Sequence, residues 1–472
     1  MLTLLIIAAC TGSGGGESKP GPSPVDETAA PDGETDESAD ETGETGETGE
    51  PSETGETGPV LDLRGRVNNV LMISLDTARR DHLSGYAGAL GDTTPNLGAF
   101  LERSLVLDDH YSCSNWTYHA MACVQGARTP LEYDFVPGHV TRTIEPMPEG
   151  VRMVPEVLSE LGFRTGLVSA NKYLSEEIGL HNGFDTHTLV HNTEGEVVVD
   201  LALEMVGEIA SEPDVPWYAH VHFIDPHDPY DPPAAYLGAL EGLEPIPYDL
   251  TSGSGYTQLV WGFQKLTPEV QERVLQHVTV RYLAELRYFD DQLQRLLDGL
   301  AEAGALDDTL VVFWIDHGEQ FFDHDEFGHT QSLHAEENQS LVAFQAPGLA
   351  AGRWTEPTIH EDIWPIVFAA LGLPLELPTT GRPLSASPRP LYTFTGSRAG
   401  ASMAIIEDGQ KLIYEWESGG RELYDRGADP KEEEDLYDSE DATSQALWAL
   451  LLPEIQRADD VMPYVDAVGL EP

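Results

Sequence analysis

The chain is poor in positive charge. Against 82 acidic residues it sets only 25 lysines and arginines, a formal net charge of −57 over 472 residues. Nothing in such a surface offsets repulsion from phosphates, which argues against nucleic acid as a partner. The same surplus keeps a protein soluble and suits a salty medium, where screening weakens self-repulsion. An acidic face selecting cationic partners is the other reading. Cysteine is scarcer still: Cys10, Cys113 and Cys123 are too few for a disulfide scaffold and do not space as a zinc pattern. Cys113 and Cys123 are either a disulfide pair, which an oxidising compartment would preserve, or two free, partly buried thiols. Also missing is any uninterrupted apolar run of about 18 residues, so no transmembrane span is expected. What this length does allow is one large domain and a smaller one, with a substantial core.

The chain opens MLTLLIIAACTGSGGG. Its short apolar run, preceded by no basic residue, ends in Ile7-Ala8-Ala9-Cys10 and resembles a bacterial lipoprotein signal. That resemblance implies a signal over residues 1–10, with Cys10 lipidated as the first residue of the mature protein. It also implies an exported cell-envelope lipoprotein, periplasmic or outer-surface, anchored to the membrane by lipid alone. Residues 11–66 follow as an acidic linker with repeated Glu-Thr-Gly units and, up to about Pro59, almost no large apolar side chains. Such a segment cannot offset the entropy of ordering and reads as an extended tether swollen by its own charge.

From Asn69 apolar strands alternate with amphipathic stretches. Val70–Leu75, Thr165–Ala170, Tyr218–Ile224 and Thr309–Ile315 read as strands. Helices are expected near residues 95–103, 153–161 and, as one long amphipathic element, 268–300. Strands apolar on both faces, separated by helices, predict an α/β fold with a mostly parallel central sheet sandwiched by helices. Its active site should lie beyond the carboxyl ends of the strands, and three strands finish in an aspartate: Asp76, Asp225 and Asp316. After about Pro383 short strands separated by turn residues predict a small antiparallel subdomain, with a last helix over residues 442–457 that Pro453 would kink. The expected division is a catalytic domain over 67–384 and a C-terminal subdomain over 385–472.

Four strings carry chemistry. In NNVLMISLDTARRDH, Asp76 stands at a strand tip, rigidly placed for a metal, although a lone strand-ending Asp more often caps a helix or forms a turn. In YSCSNWTYHAMACVQGARTP, Thr117 begins a helical stretch, where free amide groups favour an oxyanion; its bland role is a helix cap. In HVHFIDPHDPYDPP, prolines hold His227 on a rigid loop directly after a strand, while His220 and His222 alternate with apolar residues and fill core positions or back the site. In TLVVFWIDHGEQFFDHDEFGHTQSLHAEEN, Asp316 and His317 offer an oxygen and a nitrogen ligand from one turn.

Taken in order, with a tail reading RELYDRGADPKEEEDLYD, these strings resemble the sulfatase family of the alkaline phosphatase superfamily. The resemblance runs from about Asn69 to Tyr437. It implies one divalent metal ion held by Asp76, Asp316, His317 and Thr117: Ca²⁺ or Mn²⁺, with Zn²⁺ and Mg²⁺ open. It further implies Thr117 as nucleophile with Ser114 as the next candidate, and His227 as general acid or anion clamp. His329 binds substrate, His324 belongs to the same wall, and Arg79 is a charge-stabilising neighbour. Three departures matter. Thr77 replaces a second aspartate, and no C-x-P-S-R string exists to yield formylglycine. A W-T-x-P-S-H form is matched only at Trp116-Thr117, since His119, Ala120 and Met121 replace its last three residues. Thr330 also stands where the common form has glycine. The expected function is metal-dependent hydrolysis of a sulfate or phosphate ester on a small molecule, glycan or lipid. The Asp, Thr, Asp, His set also looks like the single-metal site of lipoteichoic acid synthases. A phosphoglycerol- or phosphoethanolamine-type transferase acting on a cell-surface acceptor therefore stays open. A non-catalytic surface binding protein does too, given the incomplete nucleophile string.

Overall fold

The computed structural model describes residues 61–133, 146–395 and 401–461. Cys10 and the expected tether up to residue 60 lie outside them. All the described residues fall in one compact unit. The folded part begins earlier than the sequence suggests, because Leu63 is fully buried and its N–H donates to Ala370 O at 2.8 Å. One apolar side chain is enough to dock this segment.

The large sheet has nine strands. In chain order they are β1 (Asn69–Leu75), β2 (Leu105–Tyr111), β3 (Arg164–Ser169), β4 (Thr186–Leu189), β5 (Trp217–Phe223) and β6 (Thr309–Ile315). After the small pair β7 (Gln320–Phe321) and β8 (Phe327–Gly328) come β9 (Gln339–Gln345), β10 (Gly352–Trp354) and β11 (Thr358–Ile359). The spatial order is β10-β2-β9-β6-β1-β5-β3-β4, with β11 beside β2 and only β9 antiparallel to its neighbours. The helices are α1 (Pro95–Glu102), α2 (Thr117–Gly126), α3 (Val154–Glu160), α4 (Gly195–Ile209), α5 (Gly253–Gly262), α6 (Pro268–Glu302), α7 (Ala335–Asn338), α8 (Ile363–Leu371) and α9 (Ala442–Val461). The expected mostly parallel sheet covered by helices is what forms.

Side-chain alternation along β1 divides the core. Leu71, Ile73 and Leu75 pack with Phe100, Val198 and Phe289 from α1, α4 and α6; Val70 and Met72 pack with Met121, Val157 and Trp364 from α2, α3 and α8. Every residue of β1, β5 and β6 is buried, which is why these strands read as continuous apolar runs. Because β1 lies between parallel β5 and β6, their tips come level. Leu75 pairs with Phe223 and Ile315, and the ladder continues one residue further: Asp76 N–H donates to Phe223 O and Asp316 N–H to Leu75 O, both at 3.1 Å.

The C-terminal sheet is the expected antiparallel meander: β12 (Leu391–Phe394), β13 (Ser402–Glu407), β14 (Gln410–Glu415) and β15 (Arg421–Asp425). It has its own core, where Met403, Leu412 and Trp416 meet Trp448, Leu451 and Ile455 of α9, a helix that runs through Pro453. A histidine pair joins it to the large domain. His324 and His334 stack at 3.7 Å with planes 3° apart; His324 Nδ1 lies 2.5 Å from Glu336 Oε1, and its Nε2 meets Glu432 O at 2.8 Å. His334 Nε2 lies 3.1 Å from Glu422 Oε2. His324 therefore does not join the expected substrate wall. Its partners hold it at the subdomain junction, beside the buried Lys411–Glu432 ion pair.

Burial pushes the His324 imidazolium down, but the Glu336 hydrogen bond and charge outweigh it and hold the group at about 9, above its ordinary 6.5. A raised folded value stabilises the fold fully below pH 6.5, and that contribution disappears as pH rises through about 9. The melting temperature of wild type should therefore exceed that of His324→Gln at pH 6, with the gap closing by pH 10. A gap constant with pH would remove the charged histidine from the account.

Candidate active site

Asp76 and Asp316 emerge side by side from adjacent strands, fully buried. The turn after β1 brings Thr77 into the left-handed region at φ 47°, an uncommon conformation for a β-branched residue. This turn aims its N–H at Asp316 Oδ1 at 3.0 Å, and His317 N–H donates to the same oxygen at 2.7 Å. Asp316 Oδ2 is left buried with no hydrogen-bond partner, the kind of orphaned oxygen that a cation would satisfy. His317 Nδ1–H donates to Gly318 O at 2.9 Å, which leaves Nε2 as a lone pair facing inward. Burial and nearby His329 push this imidazole down to about 3, so it is the neutral form that binds metals.

Thr117 opens α2 and points its hydroxyl into this cluster. Oγ1 lies 3.2 Å from His317 Nε2 and 3.5 Å from each carboxylate oxygen of Asp76. Ser114, the second nucleophile candidate, is also buried, but its Oγ faces His119 Nδ1 at 3.4 Å. Cys113 and Cys123 are joined as a disulfide that ties the start of this segment to the second turn of α2.

A cavity of about 340 Å³ opens beside the cluster, lined by Trp116, Lys172, Tyr173, His191, His227 and His329 among others. His227 Nδ1–H donates to Asp228 O at 2.6 Å, and His329 Nδ1 lies 3.3 Å from buried Glu319. Their rings meet edge-on at 5.0 Å, and His329 packs on His317 at 4.7 Å. Burial lowers His227, yet the carboxylates of Asp228, Asp76 and Glu319 together raise it to about 9. A cationic imidazole and an exposed lysine in a strongly acidic protein suit an anionic group. The backbone at Thr330, beside His329, has φ 71°, which explains why a glycine fits that place in the family pattern.

Two expectations are changed by the structure. Arg79 is buried, but its guanidinium is held by Asp81 and Asp323 and lies over Phe321. Its guanidinium donates to those two acids rather than to Asp76 or Thr117. Asp225, the third strand-tip acid, is instead set against Glu285 of α6, and burial pushes both carboxyls up, to about 7 and about 9. Two contributors, Asn171 and Lys172, were not singled out by sequence, and His222, expected in the core or behind the site, stands behind it. Asn171 Nδ2–H donates to Asp76 Oδ2 at 2.6 Å. Lys172 lines the cavity. His222 has Nε2 3.2 Å from Asp76 Oδ2, and its ligand atom falls within 4.8 Å of those of Asp76 and Asp316. Asn171 and Lys172 follow the tip of β3, so the strand-tip rule that found Asp76 points to them as well.

The paired carboxyls titrate as a unit. Burial and the charge of Asp76 push Asp316 well up. Asp76 is pushed up by burial too, but the hydrogen bond from His222 and the charges of His227 and His317 bring it below its ordinary range. The cation-free pair thus holds a proton more tightly than separate carboxyls would, and a divalent ion should displace it. Titration calorimetry in buffers of different ionisation heat is expected to show proton release on metal binding, with affinity rising with pH. A buffer-independent heat would overturn this.

Fold and site together define an α/β protein with an oxygen- and nitrogen-rich ligand cluster on the carboxyl edge of a mostly parallel sheet. A family model described as Sulfatase matches residues 68–372, more than half of the chain. The chain belongs to the sulfatase family, within the alkaline phosphatase superfamily. It is 29% identical over 171 residues to a choline-sulfatase of Rhizobium meliloti (strain 1021), covering 34% of this chain and 32% of that protein. It is 22% identical over 266 residues to an arylsulfatase of Clostridium perfringens, covering 53% and 55%. The chain thus spans about half or less of the length of these relatives. Among solved structures, one in complex with its substrate D-glucosamine-2-N,6-O-disulfate superposes with a TM-score of 0.68 at 17% identity, covering 84% of this chain and 99% of that one. A phosphonate monoester hydrolase from Silicibacter pomeroyi gives 0.63 at 18%, covering 84% and 96%.

Proposed function

We propose that this protein hydrolyses a sulfate monoester, with Thr117 as nucleophile and one divalent cation held by Asp76, Asp316, His317 and Thr117. The observation that carries the reading is the position of Thr117 Oγ1, at a helix start and within 3.5 Å of Asp76 and His317, beside a cavity edged by His227, His329 and Lys172. A bound cation would supply charge neutralisation and lower the pKa of a neighbouring hydroxyl. The Thr117 hydroxyl gives its proton to solvent and its oxygen attacks the sulfur, the ester oxygen leaves with a proton from His227, and water then attacks the sulfur, releasing sulfate and returning protons to Thr117 and His227. His329, held by Glu319, and Lys172 balance the charge of the remaining oxygens. Hard carboxylate and hydroxyl ligands with one imidazole favour Mn²⁺ or Ca²⁺.

An unmodified threonine also suits phosphorus, and the structural likeness to a phosphonate monoester hydrolase supports a phosphoester as the second reading. Neighbours that act on sulfated sugars, such as the glucosamine disulfate complex, support a small sulfated sugar or glycan as substrate. Cys10 as a lipid-bearing residue, followed by a charged tether, would place the catalytic part at the cell envelope. The test is metal analysis with paired aryl sulfate and aryl phosphate assays on the purified chain. Turnover of aryl sulfate above aryl phosphate, lost on chelation, is expected. Metal binding with no turnover of either ester would favour a binding protein. Transfer to an added alcohol in preference to water would favour the transferase.

A further inference from the structure

His222 lies close enough to Asp76 and Asp316 to pass for a metal ligand. The hydrogen bonds behind it say otherwise. Ser74 on β1 and His220 and His222 on β5 all point to the α2 side of the sheet, because Met72 pairs with His220 and Ser74 with His222 in the parallel register. Ser74 Oγ sits between the two rings, 2.8 Å from His220 Nε2 and 2.8 Å from His222 Nδ1. His220 Nδ1 lies 3.2 Å from Gln125 Nε2, and His222 Nε2 lies 3.2 Å from Asp76 Oδ2. Ser74, Gln125, His220 and His222 are all fully buried, so water does not intervene to satisfy either ring.

The two ends of this chain set its direction independently. Gln125 presents an amide nitrogen, which only donates, so His220 Nδ1 accepts and His220 Nε2 carries the hydrogen. That hydrogen goes to Ser74 Oγ, whose own hydrogen goes to His222 Nδ1, leaving His222 protonated on Nε2. At the other end the Asp76 carboxylate only accepts, which requires the same Nε2–H. Asn171 donates to the same oxygen, so Oδ2 takes two donors from behind, while Thr117 Oγ1 stands 3.5 Å from both carboxylate oxygens.

We propose that His222 is a positioning residue that fixes Asp76 by donating Nε2–H to Oδ2, with its donor direction set by Ser74, His220 and Gln125, and that it is not itself a metal ligand. The chain begins on α2 and ends at the tip of β1: Gln125 is two turns below Thr117, so the helix that presents the hydroxyl also orients the carboxylate it faces. The assignment of Asp76 as a ligand rests on the function proposed above; the hydrogen-bond direction does not.

The test is nitrogen NMR of the full chain labelled with ¹⁵N-histidine, with the His222 signals identified by their loss in His222→Gln. Metal-free protein is expected to show His222 protonated at Nε2 and bare at Nδ1, and added Zn²⁺ should leave that pattern unchanged. Protonation at Nδ1 in the metal-free protein, or loss of the Nε2 proton on adding Zn²⁺, overturns the proposal. If neither Zn²⁺ nor Mn²⁺ binds, the metal reading fails, while the metal-free spectrum still decides the hydrogen-bond direction. Gln125→Glu replaces a donor by an acceptor at the far end and is expected to draw a proton to His220 Nδ1, while the Asp76 carboxylate keeps His222 protonated at Nε2; loss of the His222 Nε2 proton in the folded variant counts against Asp76 as the group that holds it. Calorimetry with Mn²⁺ should give about 10- to 100-fold weaker binding for His222→Leu, with His222→Gln, which keeps a donor, nearer to wild type. Equal affinity for His222→Leu and wild type overturns the role.

Discussion

Thr117→Ala is expected to lower ester turnover by about 10⁴-fold or more while the protein stays folded. The substitution removes one oxygen, keeps the β-carbon, and raises the helix propensity at the first position of α2. The hydrogen bonds lost are long, at 3.2 to 3.5 Å, so the stability cost should be about 1 kcal/mol or less. Ser114, the next candidate, is not placed to substitute, since its Oγ is turned to His119. Asp76, Asp316 and His317 remain, so metal binding should weaken without disappearing. Thr117→Ser keeps the oxygen and should retain measurable turnover. The measurements are kcat/KM on aryl sulfate and aryl phosphate together with metal content. Turnover by Thr117→Ala within 10-fold of wild type would remove Thr117 from the chemistry, and complete loss of metal would make its role that of a ligand first.

Asp316→Asn is expected to change stability in opposite directions with and without metal. In the cation-free protein two carboxyls share a buried space, and one is driven up by the other. Asparagine keeps the Oδ1 acceptor for Thr77 N–H and His317 N–H and removes the repulsion, so the metal-free variant should melt at or above wild type. With saturating Mn²⁺ the order reverses. Wild type gains stability by mass action, about 2.7 kcal/mol at 100 times Kd, and the variant, lacking an anionic ligand, gains little. Turnover should fall with the lost metal. Thermal melts of both proteins with chelator and with Mn²⁺ decide the matter. An equal metal-induced rise in the two would place the cation elsewhere.

The fold was largely legible because its strands are buried on both faces and its helices are amphipathic, so periodicity reported burial directly. Asp316 and His317 were legible for a related reason: a polar pair ending the run TLVVFWI has nowhere to be except a strand tip. The C-terminal meander showed through its turn residues. Arg79 was harder, since the acids that hold it, Asp81 and Asp323, come from two different turns, and only the second lies far away in sequence. His324 stood two turns of chain from His329 and looked like part of the same wall, yet it is drawn to Glu336 and Glu432 at the other side of its loop.

By itself the sequence determined the strand tips, the alternation that buries β1, β5 and β6, the helix start at Thr117, and the charge that leaves few cations to spend on the site. Period and polarity are local properties, and local properties survive in one dimension. The tertiary structure decided which tips converge. Asp76 and Asp316 meet because β1 and β6 are adjacent and in register, whereas Asp225, equally strand-ending, is buried near Glu285, and both of those carboxyls are pushed up. It also decided that His222, which alternates like any core residue, stands behind Asp76, since only the pairing of β1 with β5 and the packing of α2 bring Ser74, His220 and Gln125 into one hydrogen-bonded line.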